Sequence, residues 1–565
     1  MSDNFYNKSR EFYLKQFDIS EIITDLEDNF QGDGSISNEQ EAHDYYDMVL
    51  KNAGDICANF IWPRSEAVDL QGAKLEDGVV SWAPETQENM KVLGEAGYLG
   101  GTLPRKYGGL NLPVTVNNVI VEMVSQADAS LMNLFGLQDI AVTVFKFGNE
   151  EQKNRVLPKF CKGEVSGSMA LTEPDAGSDL QAVQLKAIEK DGKWYLDGVK
   201  RFITNGSGEV SLVLARSERG SKGGRGLSMF LYERYRDDNM IVRRIEDKHG
   251  IHGSPTCELQ FNMAESELVG RRKFGLIKYV MSLMNGARLA VSAQALGVAQ
   301  AAYEEAVKYA NEREQFGKAL VQMPAVYQML KNMQAEIETS RLLLYKTSLA
   351  VDYMDMYERK EAKGEKVKQE MKKAKAMADF LTPMAKFVIT EVANDVAYDA
   401  VQIHGGCGYM KDFPVERLSR DARITNIYEG TTQLQVVAAI AGIRADVMHE
   451  DFAGFRNFSA EKLSTEHKEI VQWIDSYYEL LEFVKEQKNK ELFDYVANYI
   501  TEVVSILYRL ILFLPIAEDY KEKAEIFKFY MTKSRSRITY LQQLTKDVYA
   551  NYNESVEKLK ADFVR

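Results

Sequence analysis

The residues best suited to chemistry in this 565-residue chain lie late, in Ile427-Tyr428-Glu429-Gly430-Thr431-Thr432-Gln433-Leu434-Gln435. A carboxylate, Glu429, precedes a glycine that lets a bulky ligand approach the backbone. Two threonines and a glutamine add hydroxyl and amide groups suited to the polar edge of a cofactor. By composition, Glu429 is one of 83 acidic residues, and a surface glutamate at a helix start is the plainer reading. Upstream lies a small-residue turn, Gln402-Ile403-His404-Gly405-Gly406-Cys407-Gly408-Tyr409. A charged helical segment, residues 414–423, joins the two.

Four further stretches carry reactive or ligand-facing types. In Met169-Ala170-Leu171-Thr172-Glu173-Pro174-Asp175-Ala176-Gly177-Ser178-Asp179, proline and glycine favour a tight turn whose main-chain N–H groups can face a ligand. Lys200-Arg201-Phe202-Ile203-Thr204-Asn205-Gly206 reads as a strand ending in a turn. Asn285-Gly286-Ala287-Arg288 opens a long helix, and Arg313-Glu314-Gln315-Phe316-Gly317 closes it. Taken alone, each has an ordinary structural reading: a surface turn, a strand end, a solvated arginine and a helix-end cation.

The elements that position these stretches follow from periodicity. Residues up to about 164 are helix-prone, with glycine clusters at 97–104 and 107–110 that read as helix-ending turns. From 165 the texture changes. Short strand candidates at 185–188 and 194–199 flank Asp191-Gly192, a strong hairpin signal. Further candidates fall at 210–215, 227–231, 241–245 and 256–261. The loop at 219–226 is glycine-rich but lacks Walker spacing, and reads as a flexible hairpin. Helical patterning resumes at 274, with helices expected over 281–312, 325–353, 382–400 and 426–448. The Lys/Glu-dense run at 358–375 reads as a solvated extension or loop, and residues 451–565 as an appended helical tail. The expected domains are 1–164, 165–273, 274–448 and 449–565.

Bulk properties exclude several classes. A net charge of −13 argues against general nucleic-acid binding. Four cysteines without CxxC spacing and six histidines without an HxxxH pair suggest neither a disulfide framework nor a metal site. The N-terminus resembles neither a secretory signal nor a transit peptide. The most apolar run, 503–517, contains Arg509 and Pro515 and is too short to span a bilayer. A cytoplasmic protein is expected.

Together and in this order, the five stretches resemble the signatures of the acyl-CoA dehydrogenase family over about residues 87–443. The resemblance implies a mainly α fold: a helical N-terminal domain, a β-barrel-like middle domain and a C-terminal four-helix bundle, here with an extra helical tail. It implies FAD as cofactor, an acyl-CoA substrate and an electron-transfer flavoprotein as electron acceptor. Glu429 matches the catalytic base, which removes the α-proton of the thioester while a hydride leaves the β-carbon. One branch of the family carries its base immediately before the arginine of the Asn285–Arg288 run, and that position is Ala287 here. Thr172 and Thr204 match hydroxyls that bond the flavin, and Phe202 matches an aromatic, usually Trp, that packs on it. Met169, Leu171, Ile203, Thr431 and Gln433 match further cofactor contacts. Ser178 lies near both flavin and acyl-CoA, and Asn285, Arg288 and Gly430 match the substrate side. Arg313 and Phe316, with Gln402, Gly405 and Gly406, match contacts to the cofactor of a neighbouring subunit, so a homodimer or homotetramer is implied. His404 reads as structural. Where the family often has Phe-Gln after the Arg313 motif, this chain has Met323-Pro324, a departure at one adenine-side contact. On the helix at 130–136, Met132 and Phe135 read either as limits on acyl length or as core packing. Two alternatives share the fold: an acyl-CoA oxidase and a catalytically silent scaffold.

Overall fold

The computed structural model describes residues 3–31, 36–457 and 464–560. The chain forms two compact units, 1–301 with 409–425, and 302–408 with 426–565.

In the first unit the middle of the chain makes a seven-stranded sheet: β1 (Gly167–Ala170), β2 (Lys186–Lys190), β3 (Lys193–Thr204), β4 (Val210–Arg216), β5 (Leu227–Glu233), β6 (Met240–Ile245) and β7 (Thr256–Val269). Five strands close on themselves in the order β4-β2-β3-β7-β5 and back to β4, giving the expected barrel. β1 adds in parallel to β4, and β6 adds antiparallel to β7. Alternation along β4 explains its fully buried pattern. Val213 and Ala215 enter one core with Phe230, Leu259 and Phe261. Leu212 and Leu214 enter another, with Met229 and the helical residues Val144, Leu157 and Phe160. A strand covered on both faces loses its polar positions. The Asp191-Gly192 turn has φ of 53° and 77°, as a two-residue hairpin between Lys190 and Lys193 requires.

The helices of this unit include α1 (Val114–Ala127) and α2 (Ala129–Gly136), both almost wholly buried. Asp128 caps α2 by accepting from the N–H groups of Ser130 and Leu131. Met132 and Phe135 are buried along α2. α3 (Met281–Glu312) passes α1 closely: a Cβ on Gly297 would lie 2.3 Å from the Glu122 carbonyl oxygen. The N-terminal segment is tied down by Arg10, whose Nε donates to Glu122 Oε1 at 3.0 Å with both side chains buried. The segment α6 (Pro414–Thr425) also belongs to this unit. Its Arg420 pairs with Asp69 at 2.6 Å, and its Asp421 accepts from the Ile251 N–H at 2.6 Å.

The second unit is helical. α4 (Pro324–Ala362) and α5 (Lys368–His404) pack along one another, separated by the exposed turn at 363–367. α7 (Thr432–Arg444) starts at the Thr431 cap. The tail adds α8 (Thr465–Glu486), α9 (Lys490–Asp519) and α10 (Lys521–Tyr552), and α9 and α10 pack on α4. The apolar run at 503–517 lies inside α9, whose 30 residues are long and apolar enough to cross a membrane, so the short-run reading does not hold. Within the protein, 78% of its most apolar window is buried. Arg509, in that window, donates to Glu336 Oε2 of α4 at 2.8 Å. Lys533 of α10 reaches Glu336 Oε1 at 2.8 Å, and Lys523 reaches Glu338 at 2.9 Å.

Candidate active site

In the first unit, the Thr172–Ser178 turn and the end of β3 are joined directly. The Arg201 N–H donates to the Thr172 carbonyl at 3.0 Å. That bond uses a position where β3 leaves the register of β7, between Lys200 and Ile203. At this bulge Phe202 takes φ of 60° and stands 53% exposed. A left-handed bulky residue is a strained arrangement that persists only where its surroundings fix it. They do so through a buried ion pair. Lys200 Nζ, fully buried, donates to Glu173 Oε1 at 2.9 Å and to the Leu171 carbonyl at 2.7 Å. The Glu173 carboxylate also accepts from the N–H groups of Gln184 and Leu185, at 2.7 and 2.9 Å. Burial pushes the Lys200 ammonium down to about 8, against the opposing pull of Glu173.

Thr172 and Thr204 are half-buried on the two joined segments. Ser178 is exposed at the far end of the turn, and Met169 is half-buried against a core. Leu171 and Ile203 sit in the cores, so what they offer a ligand is main chain. Asn285 and Arg288 lie on the first turns of α3, with Arg288 Nη1 donating to Asn285 Oδ1 at 3.3 Å. An exposed aromatic face beside two hydroxyls on a rigid bulge suits a flat, polar-edged ring system such as a flavin.

The second unit holds Glu429. Glu429 and Gly430 are both left-handed, with φ of 55° and 93°, and both are half-buried. A Cβ at Gly430 would be strained at that φ and would approach Gln435 Nε2 to 2.6 Å. Thr431 then caps α7, its hydroxyl accepting from the Leu434 N–H, and Gln433 is exposed on the first turn. Thr432 is held through its N–H to the Asn426 carbonyl and through its hydroxyl to Glu391 on α5. Glu429, Gly430, Thr431 and Gln433 are therefore one turn.

A second group forms where α3 ends. Glu314–Gln315 and Lys318–Ala319 make a small antiparallel hairpin, where the sequence suggested only a helix end. Its turn is Phe316-Gly317, with φ of 53° and 75°, and Phe316 is 94% exposed. Arg313 is exposed at its base. Gln402, Gly405 and Gly406 are exposed at the end of α5. Tyr309 of α3 stacks on His404 at 4.2 Å, which brings these two groups side by side. The His404 Nδ1 lies 2.8 Å from the Ala400 carbonyl, and burial holds the ring below the usual histidine range.

Several supporting residues drew no role from sequence reasoning: Glu173, Lys200, Lys386, Glu391 and Gln435. A signal existed for Lys386, a lone charge in the run Leu381-Thr382-Pro383-Met384-Ala385-Lys386-Phe387-Val388-Ile389. Charges in such runs are placed there for a partner.

With this geometry in view, the comparisons with known proteins are consistent along the chain. The N-terminal, middle and C-terminal domain models of acyl-CoA dehydrogenases match residues 44–164, 168–264 and 277–442. An acyl-CoA dehydrogenase of Bacillus subtilis is 35% identical over 351 residues, 61% of this chain and 86% of that protein. A 3-methylmercaptopropionyl-CoA dehydrogenase of Ruegeria pomeroyi is 35% identical over 418 residues, 68% of each chain. The solved acyl-CoA dehydrogenase of Bacillus anthracis, complexed with FAD, has the same fold, with a TM-score of 0.77 at 24% identity over 89% of this chain and 88% of that one. The chain belongs to the acyl-CoA dehydrogenase family of oxidoreductases.

Proposed function

We propose that this protein is an FAD-dependent acyl-CoA dehydrogenase that introduces an α,β double bond into an acyl-CoA thioester, with Glu429 as the base. The observation that carries the reading is the Glu429-Gly430 turn, which presents a carboxylate from a fixed, left-handed backbone at the family's base position. The alternative base position is Ala287, which cannot accept a proton. Glu429 takes the α-proton as the Cα–H electron pair becomes the new double bond. FAD, when bound, supplies the acceptor for the β-hydrogen and its electron pair. Thr172, Thr204 and Phe202 would hold its ring, with main chain at Leu171 and Ile203 and the side chains of Met169 and Ser178, and Thr431 and Gln433 match further cofactor contacts of the family. Asn285, Arg288, Ser178 and Gly430 would serve the substrate. Electrons then pass to an electron-transfer flavoprotein.

The exposed Arg313–Phe316 hairpin, set beside Gln402, Gly405 and Gly406, supports a homodimer in which each copy completes its partner's cofactor site. Arg313→Ala is expected to leave the fold intact but lower retained FAD several-fold, read as the ratio of 450 to 280 nm absorbance after gel filtration. Unchanged flavin content would remove Arg313 from the cofactor site.

The direct test is a panel of acyl-CoAs assayed anaerobically for flavin bleaching, then with a dye acceptor and in air. The expected result is bleaching by at least one thioester, dye reduction, and peroxide at only a small fraction of the dye rate. Peroxide at the full rate would make the protein an oxidase. A colourless protein that binds no flavin would make it a silent scaffold.

A further inference from the structure

The turn that carries Glu429 is held by two buried donors on neighbouring helices. Lys386, on α5, is fully buried, and its Nζ donates to the Gly430 carbonyl at 2.8 Å. Gln435, on α7, is also fully buried. Its Nε2 donates to the Gly430 carbonyl at 2.9 Å and to the Glu429 carbonyl at 3.1 Å. Both carbonyls of the left-handed pair are thus drawn inward by side chains. A third tie lies two residues on: Glu391, five residues along α5 from Lys386, accepts from the Thr432 hydroxyl and from the Asn426 amide, at 3.1 Å for the latter.

The energetic logic is specific. A left-handed non-glycine residue costs about 1–2 kcal/mol and relaxes unless something holds it. A charged donor to a carbonyl is worth more than a neutral one, about 1.5–3 kcal/mol. An ammonium is also expensive to bury, so a buried lysine that donates to a turn carbonyl points to a demand for that turn's geometry. Hydrophobic packing alone would be met by methionine or leucine at 386.

From this juxtaposition we infer that Lys386 and Gln435 are positioning residues for the base: they fix the backbone from which the Glu429 carboxylate departs, and so its placement against the substrate α-carbon. This rests on Glu429 being the base, as proposed above. Proton transfer needs heavy atoms within about 2.6–3.2 Å, so a turn that relaxes by a fraction of an ångström slows the chemical step without weakening thioester binding.

The experiment uses the full-length flavoprotein and the best thioester from the panel. Lys386→Met keeps length and apolar fit while deleting the donor, and Gln435→Met does the same on the other helix. Both are expected to bind FAD and to leave KM within about twofold. kcat should fall roughly 30-fold for Lys386→Met, since a misplacement near 1 Å costs about 10²-fold, and less for Gln435→Met. The primary isotope effect with α-deuterated substrate should rise in both, because proton removal becomes more nearly rate-limiting. If Lys386→Met fails to fold, Gln435→Met carries the same test. Wild-type kcat in the folded variants overturns the inference, as does a loss shared equally by kcat and 1/KM with an unchanged isotope effect. The Glu429→Gln variant separates the two readings. If it turns over normally, the base assignment falls. If it is inactive while both Met variants match wild type, only the positioning role falls.

Discussion

Glu429→Gln is expected to abolish desaturation while leaving a yellow, folded protein. The substitution keeps side-chain length and the left-handed backbone at 429, so the turn held by Gly430, Lys386 and Gln435 has no reason to move. What is lost is proton-accepting capacity. A positioned base contributes about 10²–10⁴-fold, and no second carboxylate stands at the family's alternative position, which is Ala287. kcat should therefore drop by roughly 10³-fold or more. Unfolding stability should change by less than about 0.5 kcal/mol, and the acyl-CoA should still perturb the flavin spectrum on titration. Stopped-flow flavin reduction is the measurement. Reduction at the wild-type rate would place the base elsewhere.

The second large effect is expected from Lys200→Met. Removing the ammonium leaves Glu173 buried without its cation, which costs about 3–5 kcal/mol. It also frees the Leu171 carbonyl and loosens the turn against the Phe202 bulge. Urea unfolding at pH 7 should show that loss, and flavin content should fall with it. The pH dependence gives a second check. In the folded protein burial brings Lys200 down to about 8, below its unfolded value of about 10.5. Between those values the unfolded chain binds the extra proton, so this group's contribution grows as pH rises through 8 and is smallest below it. Lys248, lowered by burial to about 8, acts in the same direction. The rise in stability between about pH 8 and 10 should therefore be shallower in Lys200→Met, but not absent. A variant as stable as wild type would show that the pair does not hold the turn.

How much of this was legible beforehand depends on the physics of each element. The barrel strands are legible because the hairpin at Asp191-Gly192 and the short apolar runs at 210–215 and 227–231 are local signals. Closure of the barrel is not, since the β4–β2 contact joins strands whose pairing no local pattern encodes. The helix at 281–312 is legible to the residue, because its small and apolar residues recur without a proline. The hairpin after it was missed: Phe316 is a poor candidate for a positive φ, and only Gly317 hints at a turn.

At the site, the stretches were visible through family resemblance, and their ordering on the chain told nothing of what supports them. Glu173 and Lys200 fall within those stretches, but nothing in the sequence links them. Their pairing spans 27 residues and depends on a bulge. Lys386 and Gln435 face the Glu429 turn from two helices, and a sequence pattern cannot say which carbonyl a buried donor will meet. For Arg509 the sequence suggested an interruption of an apolar run. The structure gives it a carboxylate partner, Glu336, on another helix.

That last pairing bears on how the chain can be cut. Glu336 and Glu338 on α4 draw their cations, Arg509, Lys533 and Lys523, from helices that lie past the matched family domains. A version ending near residue 448 would keep every signature stretch yet strand two anions on a bared greasy flank. Its fate would be aggregation rather than a leaner enzyme, and the appendage is better regarded as an integral wall of the bundle.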